Sequence, residues 1–243
     1  MLFRSNKVGH TYTAPVKGGS VQLTIAKAFS PVGGSVCKIY SFTNTDGKKN
    51  LVVAYRGSQT SDDWENNLDL DQKQAILGPN SKMCGNVHSG FLNSYEKSRI
   101  GVHGEIRDLI AAGNVDKVLS VGHSQGGSVA QLFAVEFALT HPNTKQVLVT
   151  FGQPLTVTSQ FATVANEHVK DYTRFVTTYI TTSKDSKGNV KTKVNEDLIA
   201  NIPPSFFGFV HTGTKQTIMC PLTSFMECHD SSEYVKAVQK QYL

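Results

Sequence analysis

The sequence predicts an α/β fold built on a mostly parallel sheet. Three observations carry this. Short apolar runs alternate with segments of helical periodicity along the chain. The runs are continuous, as in strands buried on both faces. One of them, "VLSVGHS" (118–124), passes through a glycine-flanked serine straight into a helical segment. The 243 residues suffice for one sizeable core, so 1–243 is read as a single domain.

Each element follows from local pattern. In the β-rich start, "VQLTIAKAF" and "SVCKIYSF" are expected to pair as antiparallel edge strands. "LVVAYRG" (51–57), "VLSVGHS" (118–124) and "QVLVTFGQP" (146–154) read as buried strands, and "YTRFVTTYITT" (172–182) as another. "VKTKV" (190–194) is expected to return from it through the turn "KDSKGN". Residues 94–114 place Ile106, Leu109 and Ile110 at helical spacing before a Gly113-Asn114 stop. Residues 127–140 put Val129, Leu132, Phe133 and Phe137 on one stripe. Segments 159–170 and 231–243 are two further helices.

Composition excludes some classes. The net charge of +5 is spread over scattered lysines, so no nucleic-acid groove is expected, while a weak attraction to anionic lipid is compatible. No run approaches membrane-spanning length, and "MLFRSNKVGHTY" has no apolar core of signal-peptide length. Cys37, Cys84, Cys220 and Cys228 form no C-x-x-C metal pattern. Two readings stand: a short loop closed by Cys220 and Cys228, or four buried thiols. No metal and no cofactor are expected.

Gly122-His123-Ser124-Gln125-Gly126 is a G-x-S-x-G sequence between a strand and a helix, the context in which it exposes a nucleophilic serine. The helix N-terminus favours the negative charge that develops there. A serine hydroxyl needs a histidine base and a carboxylate to orient it, and on this scaffold both follow the serine in sequence. Among His141, His168, His211 and His229, His229 lies in a loop before the last helix, where the late histidine belongs. Among Asp171, Asp185, Asp197 and Asp230, Asp197 follows a strand and precedes the rigid "IANIPP" stretch.

"VVAYRGSQTSDDWENNLD", "VHSGFLNSY", "VGHSQGG", "VTFGQP" and "EDLIANIPPSFFGFVHTG" occur in this order between residues 52 and 213. Together they resemble the fungal-type class 3 lipase family. The resemblance implies an α/β-hydrolase fold and hydrolysis of carboxylic esters, with Ser124 as nucleophile, Asp197 as acid and His229 as base. It implies an oxyanion hole made by the N–H groups of Ser58 and Gln125. It also implies a lid over 59–74, of which Trp64 and Leu68 are apolar members. That lid is narrow and acidic, so soluble or short-chain esters are expected to be accepted.

The sequence departs from the family pattern in Gln125 within "GHSQGG", in Leu155 after "FGQP", and in a lysine-rich hairpin before Asp197. The leading expectation is a lipid-ester hydrolase working through an acyl-enzyme. The alternatives are a phospholipase or feruloyl-type esterase with the same residues, an acyltransferase, and a non-catalytic lipid-binding relative. The expected partner is an acyl-ester lipid, with transient contact at a lipid interface. A monomer and an extracellular location are expected, with a cytoplasmic one as the alternative.

Overall fold

The computed structural model of the chain describes residues 3, 5–57, 70–113 and 115–243. Ser58, Trp64, Leu68 and Asn114 lie outside them, as does most of the lid segment.

The N-terminal region forms an antiparallel meander of β1 (Thr11–Val16), β2 (Gly19–Phe29) and β3 (Cys37–Thr43), which pairs onto β4 (Lys49–Tyr55). The expected pairing of 21–29 with 35–42 is present, and β1 adds a further edge. Strands β5 (Gln72–Leu77) and β6 (Lys82–His88) form a hairpin that leads into α1 (Ser89–Ala111). The last three residues of the 59–74 segment therefore belong to a strand. The alternation there, Ala75 and Leu77 buried against Ile76 exposed, has the period of a half-buried strand.

The core units follow in the expected order: β7 (Val115–His123), α2 (Gln125–Thr140), β8 (Lys145–Phe151), β9 (Val157–Thr158), α3 (Ser159–His168) and β10 (Tyr172–Lys184). Then come β11 (Val190–Glu196), β12 (Phe209–Val210), β13 (Thr214–Met219), α4 (Phe225–His229) and α5 (Ser231–Tyr242).

Among the described residues, nine strands make the main sheet. Its middle, β4-β7-β8-β10-β13, is parallel throughout. A smaller sheet, β12-β9-β6-β5, lies apart from it. The continuous apolar run of β4 works as expected: Leu51, Val53 and Tyr55 enter the main core, while Val52 and Ala54 join a second cluster with Ile25 and Tyr40.

Helix α2 is buried along nearly its whole length, and Val129, Leu132, Phe133 and Phe137 have no exposed surface. Such a helix tolerates a charge only if it is paired. Glu136 accepts hydrogen bonds from Arg99 of α1 and from the Gly78 N–H, 3.1 Å away. Burial raises the Glu136 pKa, but the Arg99 guanidinium and the Tyr95 hydroxyl outweigh it and hold the carboxyl below its ordinary value.

Candidate active site

All three residues singled out for acid–base and nucleophilic chemistry meet at the C-terminal edge of the parallel strands. Ser124 sits at the β7–α2 junction with φ 56° and ψ −132°, a left-handed conformation rare for a non-glycine residue. The surroundings enforce it. A Cβ on Gly122 would lie 2.1 Å from the Gly126 carbonyl oxygen, and one on Gly126 would lie 2.4 Å from that of Tyr55. The Ser124 N–H donates to Phe151 O at 2.9 Å, and its carbonyl accepts from the Gly127 N–H at 2.8 Å. Gly57 packs directly under the turn, where a Cβ would meet His123 O at 2.7 Å. That contact brings the "RG" end of β4 to the serine.

The Ser124 hydroxyl donates to His229 Nε2 at 2.9 Å. On the far side of the ring, the His229 Nδ1–H donates to Asp197 Oδ2 at 2.6 Å. Asp197 is fully buried, and its other oxygen accepts from the Ile199 N–H at 2.9 Å. The "IANIPP" stretch thus fixes the acid through one backbone donor. The remaining candidates sit elsewhere. His141 caps the far end of α2, His168 bonds Lys82, and His211 bonds the Ala200 carbonyl at 2.7 Å. Asp230 caps α5 through the Ser232 N–H, Asp185 braces the hairpin turn, and Asp171 is exposed.

Several supporting groups were not apparent in the sequence. Tyr234 of α5 donates its hydroxyl to Asp197 Oδ2 at 2.7 Å and accepts from the Thr177 N–H at 3.1 Å. Burial, joined by the Asp197 charge, pushes the Tyr234 pKa well up, so it remains a donor. The Thr177 hydroxyl donates to the Cys228 carbonyl at 2.9 Å, and Cys228 is bonded to Cys220. Of the two cysteine readings the short loop is the one observed, with Cys37 and Cys84 buried and free.

His123 donates from Nε2 to the His229 carbonyl at 2.7 Å, and the two rings lie 4.7 Å apart. Burial, together with the neighbouring His229, lowers its pKa to about 4 and keeps it neutral. Gly152, in the left-handed region at φ 55°, lies against the His229–Asp197 pair. A Cβ there would stand 2.9 Å from Asp197 Oδ2 and 3.0 Å from His229 Nδ1. Its place inside "FGQP" was the one signal available in the sequence.

Gln125 is the first residue of α2. With Gly34, Val36, Arg56 and Gly57 it lines a cleft of about 280 Å³. Ser58, the other oxyanion-hole candidate, and the lid residues Trp64 and Leu68 lie outside the described residues. Among the described residues no group of histidines, cysteines and carboxylates has the arrangement of a metal site.

A mixed sheet with a serine on a strained strand–helix turn at its parallel centre is the α/β-hydrolase fold. The profile of the family "Lipase (class 3)" matches residues 52–185, and the chain belongs to that family. It is 28% identical over 182 residues to secreted mono- and diacylglycerol lipase 1 of Fusarium solani, a match covering 74% of this chain and 48% of that protein. A lipase of Rhizomucor miehei is 28% identical over 185 residues, covering 71% and 43%.

The chain spans about half the length of these relatives. Among solved structures, the Rhizomucor miehei lipase propeptide complex superposes with a TM-score of 0.66 at 23% identity, over 81% of this chain and 57% of that one. A triacylglycerol lipase from Penicillium expansum superposes at 0.61 with 19% identity, over 82% and 71%.

Proposed function

We propose that this protein hydrolyses carboxylic esters of lipids through an acyl-enzyme, with Ser124 as nucleophile, His229 as general base and Asp197 as the group that orients the imidazole. The observation that supports this most is the unbroken hydrogen-bonded line from Ser124 Oγ through His229 to the buried Asp197. In this reading the ester carbonyl is polarised by the N–H groups of Gln125 and Ser58. Ser124 attacks as its proton passes to His229 Nε2. The imidazolium is stabilised by Asp197 and gives that proton to the departing alcohol. Water then repeats the sequence on the acyl-enzyme.

Acylglycerols are the proposed substrates. The relatives' names point there, and the loop between Asp197 and β12 exposes apolar Leu198, Phe206 and Phe207, suited to an acyl chain. Segment 59–74, with Trp64 and Leu68, is the proposed lid, its last three residues forming the start of β5 at Gln72. A secreted relative and the Cys220–Cys228 bond support an extracellular location. Among the described residues no helix is long and apolar enough to cross a membrane.

The test is hydrolysis of a p-nitrophenyl ester series, with labelling by a fluorophosphonate. Ser124→Ala is expected to abolish labelling and to lower kcat by about 10³-fold or more. Labelling that survives in this variant, or a wild-type chain that cleaves no member of the series, would overturn the reading. The chain-length optimum separates acylglycerol lipase from aryl or feruloyl esterase.

A further inference from the structure

Past Thr178 the β10–β11 ribbon leaves the sheet. Strand β8 stops pairing with β10 at Phe151↔Phe175, and β13 stops at Met219↔Thr178. From Tyr179 to Lys184, β10 has only β11 beside it among the described residues. The ladder from Thr178↔Glu196 to Lys184↔Val190 reaches about 20 Å, at roughly 3.3 Å per residue. It rises from the sheet edge that carries the site, because Asp197 follows β11 directly and donates its N–H to Thr177 O at 2.9 Å.

A ribbon with both faces in water is expected to be polar on both. This one is not. Ile180 stands opposite Val194, and Val190 opposite Lys184, so all three aliphatics share one face. They are 41%, 61% and 66% exposed for Ile180, Val194 and Val190. Lys184 shares that face and Lys187 lies in the turn, both exposed, while the exposed Lys191 and Lys193 alternate onto the opposite face. Asp185 accepts from the N–H groups of Lys187 and Asn189 in the turn and lies 4.0 Å from Lys191 Nζ, so the charge it offsets is that of Lys191 on the opposite face. Exposed aliphatics bordered by Lys184 and Lys187 match a surface with an apolar layer beneath anionic headgroups. A nucleic acid or sulfated glycan would take the lysines but leave Ile180, Val190 and Val194 in water.

We propose that the β10–β11 ribbon docks the protein onto anionic lipid surfaces, with Ile180, Val190 and Val194 entering the headgroup layer and Lys184 and Lys187 facing the headgroup charge. Docking in this way holds the Ser124 edge of the sheet at the surface. The purpose given to the contact rests on the lipid-ester reading above, but its binding chemistry is tested separately.

Co-sedimentation with vesicles of phosphatidylcholine alone, and of equimolar phosphatidylcholine and phosphatidylglycerol, reads the proposal on a Ser124→Ala background that leaves the lipid intact. Binding is expected on the mixed vesicles and to weaken with added salt. Replacing Lys184 and Lys187 by Gln should lower it by about tenfold, more than the same change at Lys191 and Lys193 on the opposite face. Ile180→Thr with Val194→Thr, which keeps β-branching, should lower it by about fivefold. A Val190→Trp variant should shift its emission to the blue on the mixed vesicles only.

Equal binding to both vesicle types overturns the proposal, as does no loss on lysine replacement. A loss with lysine replacement but none with the aliphatic pair, alongside retention on heparin resin, overturns it in favour of a soluble polyanion. With Ser124 restored, all ribbon variants should cleave a soluble short-chain ester at the wild-type rate. Failure of the wild type on that ester sinks the hydrolase reading instead, so the two failures are distinguishable.

Discussion

The serine and the histidine–carboxylate pair occupy one site but are held in place by different means. The serine is fixed by backbone packed tightly around its turn. Gly122 and Gly126 leave no room for a side chain, and Gly57, just past β4, closes the turn from below. The pair is fixed by hydrogen bonds, a local one from the Ile199 N–H and others that involve a hydroxyl on α5 and a threonine of β10, with a disulfide beside His229. Local packing sets a backbone conformation. Hydrogen bonds set the direction of a side chain. The first is all-or-none and the second can be weakened by degrees.

Substitutions can break that contrast, and the largest effect is expected at Asp197. Asp197→Asn preserves shape but removes the charge that orients His229, and kcat should fall by about 10⁴-fold with little change in KM. Gly126→Ala should act on the fold itself. Its new methyl meets backbone at Tyr55, which has no rotamer to yield, so a loss of about 3 kcal/mol or more is expected, seen as a lowered urea midpoint or absent soluble protein. If Gly126→Ala melts like the wild type, the serine turn is less constrained than its geometry implies.

Tyr234→Phe sharpens the comparison from the other side. It removes one of the hydrogen bonds to Asp197 and leaves the Ile199 N–H, so a graded loss of about tenfold in kcat is expected. An all-or-none loss would remove the distinction between the two arms.

The smallest effect concerns acid. His103, His123 and His211 are each lowered from 6.5 to about 4, chiefly by burial. Below pH 6.5 the unfolded chain binds protons at these sites and the folded chain does not. Their contribution to stability is therefore complete above pH 6.5 and is lost as pH falls towards about 4. Thermal melts should show Tm declining over that window, and His123→Asn should flatten part of the decline. A Tm independent of pH there would argue against neutral buried histidines.

The same contrast governs what the sequence disclosed. The elbow was legible because its strand, glycines and helix are contiguous. His229 and Asp197 could be selected by elimination, and the 172–194 hairpin by its turn residues. Tyr234 and Thr177 were not legible, and Gly152 only through "FGQP", because their relation to Asp197 exists only once β10, β8 and α5 are brought together. Strands β5 and β6 were missed for a similar reason. Their mixed composition forms strands because Ala75, Leu77, Cys84 and Val87 find a core supplied by other segments.

Strand β10 changes partner at one point: β8 flanks it up to Phe175, and β11 takes over at Thr178. Asp197 is tied to Thr177, between these two, so among the described residues the ribbon from Thr178 to Glu196 is anchored to the sheet at its base. That stretch is a port in the architecture. It can be extended, trimmed or exchanged without shifting the carboxylate at its root, which lets a scaffold acquire a new destination while its chemistry stays constant.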